Sequence, residues 1–229
     1  FNTLLQWIKV NNRKAIACAS TGIAALLLDG GCTAHNVFSI PNSVDRDTKP
    51  LIDRESFKAD QMKKASLIII DEVSMLNRVV LEFIDKMLRF VLPRHVELVP
   101  FGAKVIVLSG DFKQLLPVVP HGNVIDQVDA SIRSSPLFEL FTILHLRTNM
   151  RVVPEQIDFA RFLTDVGNGR NFVNEAKSNN ITLPPHCFVA SRRELIDFVF
   201  PVECLQDPIG HEEHFRSAAI LAVTNEIVD

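Results

Sequence analysis

Two stretches of this chain carry an unbroken apolar run that stops abruptly at polar residues. Leu67-Ile-Ile-Ile70 runs into Asp71-Glu72, and Val105-Ile-Val-Leu108, inside a strand read over Lys104–Ser109, runs into Ser109-Gly110-Asp111. Runs of four to six residues without alternation predict strands buried on both faces, as in a parallel sheet. Ala15-Ile-Ala-Cys-Ala19 reads as a further strand, and Phe141–Leu146 and Ala218–Val223 as two more. Helical spacing fills the intervals. Leu4, Leu5 and Ile8 form one apolar face that Asn11-Asn12 ends, and Ile23–Leu28 forms a helix closed by Gly30-Gly31. Asn77 can cap a longer helix running to about Phe90, with Val80, Leu81, Ile84 and Leu88 on one side. Pro154 suits the first turn of another, followed by Ile157, Ala160 and Phe162, and Glu194–Phe200 makes a short last helix. Residues 41–60, 93–102 and 168–185 are polar or turn-rich and predict irregular backbone.

Strands alternating with helices predict an α/β fold around a parallel sheet. The second half is richer in loops, and a seam at 147–153 divides the chain into residues 1–146 and 147–229. Ligands of such sheets bind beyond the carboxyl ends of the strands. Asp71, Glu72, Asp111 and Gln114 should therefore emerge on one edge. Acids and an amide in that position suit a magnesium nucleotide, because Mg²⁺ takes one or two carboxylates together with phosphate oxygens. No glycine is followed by lysine, so these residues contain no G-x-x-x-x-G-K-[ST] phosphate loop.

Composition narrows the class without changing this picture. The 229 residues are 47% hydrophobic with a mean hydropathy of +0.17, which describes a globular chain. No apolar stretch approaches the roughly 18 residues of a membrane span. Phe1-Asn-Thr-Leu-Leu-Gln-Trp-Ile8 has no basic start and reads as the interior of a longer protein. The net charge of −3 gives no global argument for nucleic acid, although a local basic groove is compatible with it. Cys18, Cys32, Cys187 and Cys204 contain no C-x-x-C and are expected to be buried reduced thiols. His211-Glu-Glu-His214 matches no zinc spacing and is expected to be a solvated charged loop.

Read together, the motifs carry a resemblance. Asp71-Glu-Val-Ser-Met75 resembles the Walker B motif of Pif-type superfamily-1 DNA helicases and of the related helicase part of Helitron transposases. Gly110-Asp-Phe-Lys-Gln-Leu-Leu-Pro-Val118 resembles motif III of that branch. Ala19-Ser-Thr-Gly-Ile-Ala-Ala25 with Thr33-Ala-His35 resembles the motif Ia region, and Leu146-Arg-Thr-Asn-Met-Arg151 resembles motif IV. Ile220–Asn225 resembles the strand that opens the later part of the second motor domain. The order along residues 19–151 is the family order.

The resemblance implies a RecA-like motor domain of the P-loop NTPase fold over 1–146, truncated before its first strand and phosphate loop. The start of a second RecA-like domain would occupy 147–229. Motifs V and VI would lie after Asp229, so the chain reads as a fragment or a degenerate copy of the motor. An ATP-dependent helicase moving 5′ to 3′ on single-stranded DNA, acting on forks and using ATP and Mg²⁺, is the implied activity. Repair, recombination, telomere maintenance or Helitron transposition are the implied settings, in the nucleus or the mitochondrion.

By this resemblance Asp71 holds Mg²⁺, Glu72 polarises the attacking water, Gln114 senses the γ-phosphate and Arg151 reaches it as a finger. Thr21, Gly22, Thr33 and His35 would line the single-strand path, with His35 or Phe38 stacking on a base. Each has a plainer reading. Acids after a strand can serve a helix dipole, Gln114 can be a surface amide, and Arg151 a surface ion-pair partner. Ser20-Thr21 can simply cap a helix, with His35 in a polar turn. Asp111 is expected to order the motif III turn, and Lys113, Arg192 and Arg193 to be solvated charges. The rival to the helicase is an inactive remnant that binds only DNA or protein.

Overall fold

The computed structural model describes residues 1–171 and 180–222. The chain divides into two compact units, Phe1–Glu155 and Gln156–Asp229.

The first unit is built on a parallel sheet of four strands: β1 (Lys14–Ala19), β2 (Cys32–Thr33), β3 (Ala65–Asp71) and β4 (Val105–Leu108), in the order β2-β1-β3-β4. Its helices are α1 (Asn2–Val10), α2 (Gly22–Leu26), α3 (Ala34–Val37), α4 (Phe57–Lys64), α5 (Arg78–Val91) and α6 (Val124–Ala130). Strand β3 explains the Ile-Ile-Ile run. Ile68 and Ile70 face one layer with Met62 of α4 and Leu81, Ile84 and Leu88 of α5. Leu67 and Ile69 face the other, with Leu5 and Ile8 of α1 and Ala24 and Ala25 of α2. A strand covered on both faces has no place for a polar residue until it leaves the layers, which happens at Asp71.

Connection handedness is consistent throughout. The crossover from β1 to β2 passes the α1/α2 face, and those from β2 to β3 and from β3 to β4 pass the α4/α5 face in the opposite direction. Opposite faces with opposite directions give one hand throughout, as the rule of a single, right-handed crossover for parallel strands requires. A strand running into α1 from its N-terminal side would, by the same rule, pair with the free edge of β4.

Helix α5 is the main support. Asn77 accepts the Val79 N–H at 3.1 Å, as a cap should, and Val80, Leu81, Phe83, Ile84, Met87, Leu88 and Val91 are buried. Asp85 on the same helix is 3% exposed and accepts from the Arg89 guanidinium and from the Phe101 N–H. That second bond anchors the left-handed turn at Phe101, Gly102 and Ala103 (φ 52°, 58° and 60°), which feeds Lys104 into β4.

The second unit contains α7 (Ile157–Gly167), α8 (Arg192–Val199), α9 (Val202–Gln206) and α10 (Glu212–Ser217). Phe200 stacks on Phe215 at 5.6 Å, and the His214 ring meets the Val199 carbonyl at 2.8 Å.

Several expectations need correction. Phe141–Leu146 is not a strand, and neither is the described part of 218–223, residues 218–222, with Val223 outside the described residues. An apolar run becomes a strand only where a neighbour takes up its hydrogen bonds, and neither run has a ladder partner here. Residues 57–64 form α4 rather than irregular chain, capped by Ser56, whose hydroxyl accepts the Ala59 N–H at 3.3 Å. His211–His214 lies at the start of α10 rather than in a loop, steadied by an Arg216–Glu212 pair at 2.6 Å. Cys18 and Cys204 are buried as expected, but Cys32, on an edge strand, and Cys187, in a short turn, are exposed. Burial, with Cys32 nearby, pushes the Cys18 thiol up to about 12.

Replacing Asp85 with Ala leaves the buried Phe101 N–H without its acceptor and removes the partner of Arg89. We expect a loss of about 2–4 kcal/mol by urea denaturation. A loss below about 0.5 kcal/mol, the range of an ordinary surface change, would show that Asp85 does not hold the turn.

Candidate functional site

The register of the sheet aligns the carboxyl ends of its strands. Ala19 pairs with Thr33 on one side and with Asp71 on the other, so Thr33, Ala19 and Asp71 form one row at the edge, and Ile70 pairs with Leu108. The polar residues that follow each strand therefore leave the sheet on the same side: Ser20-Thr21-Gly22 after β1, Ala34-His35 after β2, Glu72 after β3, and Ser109-Gly110-Asp111 after β4.

Glu72 is where the chain departs from the strand. Its φ of 53° and ψ of 40° put it in the left-handed region, which costs an ordinary L-residue about 1–2 kcal/mol. Its own N–H donates to Asp71 Oδ1 at 2.9 Å. Its carbonyl accepts from Ser20 Oγ at 2.8 Å. The following N–H, of Val73, donates to the Ser109 carbonyl at 2.9 Å, and the Ser109 N–H donates to Ile70 O at 3.0 Å. Asp71 and Glu72 are half-buried. The Asp71 backbone is fixed as well, its carbonyl accepting the Ser20 N–H at 3.1 Å.

Gly110 fits tightly against this turn. A β-carbon there would meet the Ser74 nitrogen at 2.9 Å and Val73 at 3.2 Å. The next residues form a turn of their own. Asp111 Oδ1 accepts the Lys113 N–H at 2.9 Å and the Asp111 carbonyl accepts the Gln114 N–H at 2.9 Å, so Asp111 orders the loop. Phe112 packs into the core, edge-on to Phe138 at 6.0 Å, while Gln114 stands exposed.

Thr21 and Thr33 each cap a short helix, accepting from the Ala24 and Asn36 N–H groups at 3.3 Å. The plainer capping role is thus real for Thr21, while the Ser20 hydroxyl reaches Glu72. Gly22 is exposed and His35 half-buried. Arg151 lies outside the sheet, exposed, its N–H donating to Asn149 Oδ1 at 2.9 Å, and it belongs to the first unit. The sheet edge thus gathers Asp71, Glu72, Thr21, Gly22, Thr33 and His35. The loop after β4 carries Gln114. Arg151 is not joined to them by any strand pairing. Ser20 and Ser109, which clamp Glu72, are the residues that sequence reasoning missed. For Ser20 the available signal was a hydroxyl directly after β1; Ser109 acts through its backbone, which no side chain announces.

The profile of the PIF1-like helicase family matches residues 1–177. The chain belongs to the PIF1-like helicase family. Family members with curated names agree. The chain is 26% identical over 181 residues to the ATP-dependent DNA helicase Pif1 of Psychrobacter, covering 78% of this chain and 26% of that one. It is 41% identical over 112 residues to the ATP-dependent DNA helicase PIF7 of Trypanosoma brucei brucei, covering 45% of this chain and 10% of that one. Its fold matches the crystal structure of Pif1 helicase from Bacteroides in complex with ADP-AlF3 and ssDNA. The TM-score is 0.61 at 26% identity, over 92% of this chain and 51% of that one. The chain thus spans about a quarter or less of the curated relatives' length. The four-stranded parallel sheet is the RecA-like core of this family.

Introducing a methyl group at Gly110 forces the motif III loop off the Val73-Ser74 backbone. Gly110→Ala should cost about 1–3 kcal/mol in urea denaturation. An unchanged midpoint would show that the contact is not tight in solution.

Proposed function

We propose that the carboxyl edge of this sheet is the hydrolytic edge of an ATP-dependent DNA helicase that moves 5′ to 3′ along single strands. The observation that carries this is the row Thr33–Ala19–Asp71, with Glu72 held in one left-handed conformation directly beyond it. Catalysis of phosphoryl transfer rests on positioning and electrostatics, and an acid whose backbone is fixed at three points suits that demand.

In this reading Asp71 would hold Mg²⁺ and Glu72 would orient the attacking water. The donor set fits the ion: carboxylate oxygens at a sheet edge, one Asp71 oxygen already bound to the Glu72 N–H, suit a hard cation that keeps several waters and phosphate ligands. Bound there, Mg²⁺ would supply neutralisation of phosphate charge. Gln114, exposed on an ordered loop, senses the γ-phosphate. Arg151 supplies a cation to the same phosphate, a role worth roughly 10³–10⁵ in rate in comparable enzymes. Thr21, Gly22, Thr33 and His35 form the track for single-stranded DNA, their backbone and hydroxyl groups meeting phosphates. The phosphate loop itself would come from a strand entering α1, paired with the free edge of β4. In this reading the second RecA-like domain starts at 147, a few residues ahead of the second compact unit, which begins at Gln156. Forks are the substrates that such a motor opens, in repair, recombination or telomere maintenance, or in Helitron transposition.

In the full-length protein, Glu72→Gln should leave ATP binding intact and lower hydrolysis by roughly 10²–10⁴-fold. Near-normal turnover in that variant would remove Glu72 from the mechanism and the reading with it.

A further inference from the structure

We propose that Ser20 is a positioning residue that couples the DNA track to the catalytic acid, through the peptide unit between Glu72 and Val73. The inference rests on the reading of Thr21 and Gly22 as part of that track and of Glu72 as the acid.

The carbonyl of Glu72 and the N–H of Val73 belong to one planar peptide unit. The carbonyl end is held from β1 by Ser20 Oγ at 2.8 Å. The N–H end is held from β4 by the Ser109 carbonyl at 2.9 Å. The orientation of this plane sets ψ of Glu72, and Glu72 occupies a backbone region that an L-residue keeps only when its surroundings hold it there. The Met75 N–H donates to the same Glu72 carbonyl at 3.3 Å from within the turn, so the Ser20 hydroxyl is one of three pins on the conformation that aims the Glu72 carboxylate, and the one that comes from β1.

Ser20 is also one peptide bond from Thr21 and two from Gly22. Its own N–H extends the β1–β3 pairing by donating to Asp71 O at 3.1 Å. A phosphate that draws the Thr21-Gly22 backbone outward must move Ser20 with it, and the hydroxyl carries that movement to the Glu72 carbonyl. Ala19, the preceding residue, has no side-chain donor, and Thr21 Oγ1 accepts the Ala24 N–H at 3.3 Å as the cap of α2. Among the described residues, Ser20 is thus the side-chain link from β1 to Glu72. Coupling over two hydrogen bonds needs no long pathway, only an acid whose backbone setting depends on both flanking strands.

The test is an amide NMR titration of this 229-residue chain with a short oligothymidylate. In the wild type the Thr21 and Gly22 signals and those of Glu72 and Val73 should shift along one saturation curve. In Ser20→Ala, Thr21 and Gly22 should still respond, while the Glu72 and Val73 shifts fall by roughly twofold or more. Ser20→Thr keeps the hydroxyl and should restore them. Equal Glu72 and Val73 shifts in Ser20→Ala would overturn the coupling, as would a wild type in which Thr21 and Gly22 respond and Glu72 does not. If Thr21 and Gly22 do not respond at all, the DNA track itself is refuted and the coupling falls with it.

Discussion

The parallel ladder between β1 and β3 is the constraint on which the rest depends. It pairs Ala15 with Leu67 and continues residue by residue to Ala19 with Asp71. Both strands are covered on both faces, so their side chains alternate between two apolar layers and a one-residue slip would turn each set to the wrong layer. Burial fixes the register, and the register fixes where the strands end. The polar residues beyond those ends are thereby brought to a common edge, where Ser20 can bond Glu72 directly.

From that edge the local chemistry follows. Glu72 must turn sharply out of a buried strand, and four bonds stabilise the turn: from its N–H to Asp71 Oδ1, from Ser20 and the Met75 N–H to its carbonyl, and from the Val73 N–H to Ser109. Gly110 lets the loop after β4 close over this turn, and Phe112 anchors that loop in the core so that Gln114 projects outward. Strain at Glu72 is therefore sustained by neighbours from both flanking strands, the expected location of stored backbone strain.

Much of this was legible in the sequence where burial dominates. The run Leu67–Ile70 announced both the central strand and the acids at its end. Asn77 and the spacing of Val80, Leu81, Ile84 and Leu88 announced α5. Helix α4 was not legible, because Phe57–Lys64 is mostly polar and buries only Ala59 and Met62. Strand β2 has two residues, too few for any period. Phe141–Leu146 misled because an apolar run specifies a strand only when a ladder partner is present. At the site, the acids and the amide were readable as types, but the clamp on Glu72 was not. The Ser20 bond joins residues 52 apart and depends on a register that only the folded sheet defines.

The proposed role of this edge is to hydrolyse ATP in step with single-stranded DNA. The most direct measurement is the ATP turnover of the full-length protein with Mg²⁺, with and without single-stranded DNA. Turnover should rise about tenfold or more when the strand is added, equivalent to about 1.4 kcal/mol of coupling. No hydrolysis in either condition, or hydrolysis indifferent to the strand, would contradict it.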